Sequence, residues 1–291
     1  MSVHQSERAQ ASARDLLLTA LAPAIWGSSY IVSTELLPQV PPMTVALLRA
    51  LPAGLLLLAF ARRLPQGIWW LRVFILGALN FSVFWSMLFV SAYRLPGGAA
   101  ATVGAVQPLV VVFLAAWVLG SAVRPASVLG ALAGLAGVAL LMLTPGVALD
   151  ETGIAAGLAG AVSMACGTVL TRKWRPPVPL LTFTAWQLTA GGLLLLPVAL
   201  WAGPDFPSPT PGHLIGLAWL GLVGAALIYV LWFRGIARLE PGVVASLGFL
   251  SPVTAIVLGW LVLGQTLTTV QVAGVVLVLG GIWLVQRGAV R

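Results

Sequence analysis

The chain is 291 residues long, 60% hydrophobic and only 8% charged, with a formal net charge of +8. A soluble core cannot hide that much apolar surface, so lipid is the solvent. One cysteine (Cys166) and two histidines (His4 and His213) exclude a disulfide framework and a Cys/His metal cluster. The Lys and Arg residues lie scattered over connections, not in the stripe that nucleic acid requires.

In chain order, the polar segment to Arg14 lacks the apolar core and cleavage site of a removable signal, so the first span reads as a retained helix. That span, Leu16–Ser33, places Trp26 and Tyr30 on one face, with Ser33 a turn further on. Span two, Met43–Phe60, holds Arg49, the charged side chain that lies well inside a span. A buried arginine is costly and therefore a functional candidate, here for a substrate carboxylate. The competing reading has Arg49 snorkelling to the interface or bracing a helix junction with Glu35. Span three, Trp69–Ser91, aligns Asn80, Phe84 and Met87 on one face and Phe81 with Trp85 on another.

Span four, Gly97–Leu119, starts after a turn at Gly97–Gly98 and carries Gln107-Pro108 near its middle. Spans five and six, Pro125–Leu143 and Gly153–Leu170, contain small-residue pairs at Gly130/Gly134 and Gly153/Gly157, suited to close helix approach. Span seven is Leu180–Trp201, and span eight, His213–Gly235, offers Tyr229, Trp232 and Phe233. Span nine, Gly242–Leu263, follows Pro241 and carries Ser251-Pro252, and span ten is Leu267–Gln286. Segments this long and apolar are helices, because an open sheet in lipid leaves backbone groups unpaired. Starting the N-terminus in the cytoplasm puts nearly all Lys and Arg inside and leaves Arg94 with the acidic Glu35, Asp150, Glu151 and Asp205 outside. Both termini are therefore expected in the cytoplasm.

Two stretches, Ala92–Gly120 and Ala237–Gly264, share one ungapped register from Tyr93 and Ala237 onward: Arg94 answers to Arg238, Gly98 to Gly242, Gly104 to Gly248, Pro108 to Pro252, and the closing Val118–Gly120 to Val262–Gly264. In the same register Gly77 answers to Gly221, Trp85 to Tyr229, Gly130 to Gly274 and Gly137 to Gly281. Ala53–Leu58 resembles Gly191–Leu196, which pairs Arg49 with Gln187. Each half holds five spans, an odd number, so the second half enters from the opposite side. The expected fold is an all-α polytopic membrane protein, ten transmembrane helices in two inverted five-helix repeats, residues 1–145 and 146–291. Inverted repeats characterise transporters, whose sites lie near the midplane beside interrupted helices.

These residues resemble the drug/metabolite transporter superfamily, specifically its EamA-type ten-helix carriers. The resemblance is carried by Trp26-Gly27-Ser28-Ser29-Tyr30, Arg49 and the two Pro-Gly…Pro…Leu-Gly blocks. It runs from about Leu16 to Gln286 and implies a bacterial inner-membrane exporter of amino acids or related metabolites. One departure is that Gln265 and Ser121 follow the closing glycines, where the second block usually has an acidic residue. A role for a Glu there does not carry over.

The expected substrate site comprises Trp26, Tyr30, Arg49, Asn80, Phe84, Trp85, Gln107, Tyr229 and Ser251, with Pro108, Pro252, Gly98 and Gly242 as gating or helix-break positions. For the aromatic residues the alternative is ordinary packing or interface anchoring. For the proline steps it is a kink satisfied by a neighbouring helix. No Asp, Glu or His lies deep in a span, which argues against a buried-carboxylate proton relay and leaves Glu35, Asp15 and Glu240 near the span ends as the alternative relays. The function expected is export of small amphipathic metabolites, amino acids with aromatic or apolar side chains above all. The runner-up is a broad drug/metabolite carrier coupled to protons. No enzyme constellation, cofactor motif or metal site is expected. The partners expected are a small solute and the bilayer, with no nucleic acid, around a monomer.

Overall fold

The structure, a computed structural model, describes residues 3–95, 97–142, 150–202 and 208–290; side chains are described for these apart from residues 3–12, 97, 98 and 290. Ten helices among the described residues are long and apolar enough to cross a membrane. They are α1 (Ala13–Leu36), α2 (Pro42–Ala61), α3 (Trp69–Arg94), α4 (Ala99–Leu119), α5 (Pro125–Met142), α6 (Glu151–Lys173), α7 (Leu180–Ala202), α8 (Pro211–Arg238), α9 (Pro241–Leu263) and α10 (Thr269–Ala289). The end of the bundle where α1 begins and α10 finishes is the terminal face, and the opposite end is the far face. The ten spans and the all-helical inverted repeat expected from the sequence are present. The last expected residue of span five, Leu143, lies outside the described residues.

The packing is two-fold symmetric. Helix α5 runs along α10, and α2 runs along α7. Helix α6 packs on α3 and α4 as α1 packs on α8 and α9. Small residues make the self-paired seams. A Cβ added to Gly130 would fall 2.6 Å from the carbonyl oxygen of Gly281, and one added to Gly281 would fall 2.6 Å from that of Gly130. Gly137 and Gly274 show the same reciprocity at 2.8 Å. In lipid, where burial of apolar surface gives helices little reason to associate, this backbone contact supplies van der Waals attraction instead.

Both interrupted helices break one turn ahead of where the prolines suggest. Helix α4 consists of Gly97–Gly104 and Gln107–Leu119, and α9 of Pro241–Leu247 and Leu250–Leu263. Pro108 and Pro252 thus lie in the first turn of the second segment, where a missing N–H costs nothing. Gly98 and Gly242 lie in the first turn of the first segment. The closing residues Gly120 and Gly264 adopt φ of 68° and 67°, left-handed caps that only glycine accepts cheaply.

A second pair of irregularities carries no proline. Residues Ala78–Ser82 of α3 and Trp219–Leu227 of α8 are π-helical. In the register of Gly77 and Gly221 these segments correspond. A π turn widens the helix and shifts its carbonyls out of the usual ladder, so it offers acceptors to neighbours.

Candidate functional site

One of those carbonyls organises the aromatic centre. The Gly224 oxygen, inside the π segment of α8, accepts from Trp26 Nε1 at 3.0 Å and from Arg49 Nη2 at 3.1 Å. It ties α1, α2 and α8 together. Gly224 is followed by Ala225 and Ala226, and this small stretch leaves room for both donors. The Arg49 guanidinium also lies over the Trp85 ring, 5.2 Å from its centroid. Among the described residues no carboxylate pairs with it, and its Nε is buried without a partner. The expected alternative partner Glu35 is exposed and close to the Thr34 hydroxyl instead. Arg49 does brace a junction, but with a backbone carbonyl, which leaves its positive charge uncompensated.

The wall beside it is aromatic. Tyr229 lies 4.9 Å from Trp26, 4.8 Å from Phe81 and 5.7 Å from Phe233, ring centre to ring centre. Trp232 abuts Trp26 at 5.1 Å and Phe81 abuts Trp85 at 5.5 Å. Four expected site residues, Trp26, Arg49, Trp85 and Tyr229, therefore meet. Tyr30 lies a turn from Trp26 but is 54% exposed, and Phe84 lines the edge of the core. Gln107 and Ser251 flank the helix breaks. The Ser251 backbone oxygen lies so near Gly27 that a Cβ there would fall 2.5 Å from it.

Asn80 goes elsewhere. It lies in the π segment of α3, at the position corresponding to Gly224, and its Nδ2 donates to Gln187 Oε1 at 2.8 Å and Thr171 Oγ1 at 3.1 Å. Gln187 is the counterpart of Arg49. The repeat thus builds two bridges, each linking a π segment to a polar residue of α2 or α7. Arg49 lies about 10 Å along α2 from the far face, and Gln187 about 10 Å along α7 from the terminal face, at 1.5 Å per residue.

The two ends differ in closure. At the terminal face Asp15, itself buried, accepts from Arg234 at 2.6 Å and from Arg238 at 3.3 Å. Arg124 pairs with Glu240 at 2.7 Å, and Arg172 donates to the carbonyls of Ile236 and Leu239. These contacts pin the α8–α9 connection to α1, α5 and α6. A cavity of roughly 160 Å³ lined by Ser121, Arg124, Ser127, Arg172, Glu240 and Pro241 belongs to this latch, apart from the aromatic centre. At the far face the corresponding Arg94 faces Asp150 at 3.8 Å, with side chains 54% and 39% exposed. Pairs that open to water contribute little.

Sequence reasoning did not find Gly224, Thr171 or the Asp15 latch as site elements. A backbone carbonyl in a π turn has no side-chain signature. Thr171 and Asp15 are ordinary residues until folding brings their partners across. His213, conspicuous in the sequence, is a helix start: its N–H donates to Thr210 Oγ1 at 3.2 Å.

The model of the EamA-like transporter family matches residues 14–143 and again 151–287. Protein PecM of Dickeya dadantii (strain 3937) is 43% identical over 267 residues, covering 91% of this chain and 90% of that protein. A probable amino-acid metabolite efflux pump of Salmonella typhimurium is 26% identical, covering 94% of this chain and 95% of that protein. A solved crystal structure superimposes with a TM-score of 0.82 at 23% identity, over 95% of this chain and 98% of that one, which attests the fold alone.

Proposed function

This chain belongs to the EamA-like transporter family, a multi-pass membrane transporter of metabolites, and on that premise we propose that it exports small amphipathic solutes, chiefly amino acids with aromatic or apolar side chains. The observation that carries the reading is the uncompensated Arg49 charge set on the wall of Trp26, Trp85 and Tyr229. A carboxylate would satisfy the guanidinium, and an apolar side chain would suit the rings. The printed name of the Salmonella relative, an amino-acid metabolite efflux pump, points the same way.

Transport runs by alternating access, with repeat 1–145 rocking against repeat 146–291. Trp26, Tyr30, Arg49, Phe84, Trp85 and Tyr229 contact solute on the far-face side, Asn80 on the terminal-face side, and Gln107 and Ser251 at the helix breaks. Pro108, Pro252, Gly98 and Gly242 allow α4 and α9 to bend. The basic excess at the terminal face orients it to the cytoplasm of an inner membrane, with both termini inside. Coupling does not pass through a buried carboxylate relay, since Asp15 is held by two arginines.

The test is uptake of labelled amino acids into proteoliposomes, with and without an imposed pH gradient. Aromatic amino acids should move equally in both. Movement only with the gradient removes the uncoupled reading, and movement of none removes the amino-acid reading.

A further inference from the structure

The bridge in the terminal half of the membrane is incomplete. Asn80 and Gln187 are both 0% exposed, yet Asn80 Oδ1 and Gln187 Nε2 have no hydrogen-bond partner. A buried amide left half-satisfied is costly and demands a reason. Turning both amides over does not remove it, because one donor and one acceptor stay free either way. Packing alone does not need such a pair, since two apolar side chains would fill the space at no polar cost.

We infer that Asn80, Thr171 and Gln187 form a second substrate subsite, shut in this conformation, that takes the zwitterionic head of an α-amino acid from the terminal face. The free amide N–H receives the carboxylate, and the free amide carbonyl receives the ammonium. The inference rests on the amino-acid reading above and deepens it. Arg49 alone would accept any organic anion, whereas a neutral donor–acceptor pair matches a head that carries both charges.

Three further observations support it. Asn80 and Gln187 hold the positions that Gly224 and Arg49 hold in the other repeat, so the two centres are symmetry mates at opposite depths. The terminal face is latched through Asp15, Arg234, Arg238, Arg124 and Glu240, while Arg94 and Asp150 hold the far face only loosely. A subsite serving the terminal face is therefore expected to be closed here. Finally, Asn80 Oδ1 lies against Gly167 of α6, where an added Cβ would overlap it. The free acceptor thus points into the α3–α6 seam, and parting that seam exposes it.

The test uses the full chain in proteoliposomes of known orientation, with entry measured separately from each face. The probes are L-phenylalanine, phenylacetate and phenethylamine. Gln187→Glu keeps the shape and puts a negative charge where the carboxylate should bind. It should raise the terminal-face KM for phenylalanine at least about tenfold relative to the far-face KM. It should also lower the preference for phenylalanine over phenethylamine by a similar factor. If Gln187→Glu does not fold, Thr171→Val carries the same comparison, with an expected shift of about threefold. KM shifts equal at both faces, or an unchanged phenylalanine-to-phenethylamine ratio, would mean that the amides only pack. If the wild-type protein carries phenylalanine and the variants behave like it, the subsite alone is overturned. If the wild-type protein moves none of the probes, the amino-acid reading falls and takes the subsite with it.

Discussion

Replacing Arg49 by Gln removes its charge and shortens its reach. Gln keeps an N–H donor at the depth of Arg49 Nε, two bonds short of the Nη2 that donates to the Gly224 carbonyl at 3.1 Å, and it loses the positive charge and the contact with the Trp85 ring at 5.2 Å. A hydrogen bond to a charged group contributes about 1.5–3 kcal/mol and a neutral one about 0.5–1.5 kcal/mol. A carboxylate held by the guanidinium should therefore lose roughly 1–1.5 kcal/mol in the variant, which at about 1.4 kcal/mol per decade raises KM about fivefold to tenfold. The loss should fall on phenylalanine and phenylacetate. Phenethylamine, freed from a repelling cation, should bind no worse. The assay is counterflow in proteoliposomes with the three compounds, alongside a melting curve for each protein. A uniform loss for all three compounds, tracking a drop in melting temperature, would refute the argument and leave Arg49 as a brace between α2 and α8.

Further expectations follow from the packing. Trp26→Phe removes one of two donors to the Gly224 oxygen and should cost about 1 kcal/mol, seen as a lower melting temperature without a change in charge selectivity. Gly137→Val puts atoms where a Cβ would already lie 2.8 Å from the Gly274 carbonyl, and should destabilise the α5–α10 seam by about 1–3 kcal/mol in a reversible denaturation assay. An equally stable variant would mean that the seam relaxes freely. Asp15→Asn exchanges charge-assisted hydrogen bonds with Arg234 and Arg238 for neutral ones and should favour opening of the terminal face by about 1–1.5 kcal/mol. With Cys166, the chain's one thiol, replaced by Ala, a Ser127→Cys substitution at a buried position lining the latch cavity reads this opening: maleimide labelling there should quicken about fivefold to tenfold when Asp15→Asn is added, and an unchanged rate would count against the latch.

The sequence made the spans and the inverted halves legible because both depend on features that survive without coordinates: runs of apolar residues, and glycines and prolines recurring in fixed register. Gly120 and Gly264 end their helices where their left-handed caps require it. The aromatic meeting of Trp26, Trp85 and Tyr229 was half visible, through helical spacing and the repeat. The hydrogen-bonding of the site was not. Face assignment along α3 assumed an uninterrupted period, and the π turn at Ala78–Ser82 carries Asn80 to α6 and α7. The acceptor that receives Arg49 is main chain, so no residue type announces it. The breaks in α4 and α9 fall ahead of the prolines, because proline is better tolerated at a helix start than inside one.

The pairing of Arg49 with Gln187, and of Gly224 with Asn80, has a thermodynamic consequence. A transporter made of two identical inverted halves would have two mirror-related states of equal free energy, each populated half the time. Only differences between the halves can tilt that balance, and the polar ones are on view: Asp15 with Arg234 and Arg238 against Arg94 with Asp150, and Arg49 with Gly224 against Gln187 with Asn80. Exchanging one such pair, Arg49→Gln with Gln187→Arg, would then move the balance toward the state open to the other side of the membrane, while the latch at Asp15, left in place, keeps its own share of the bias.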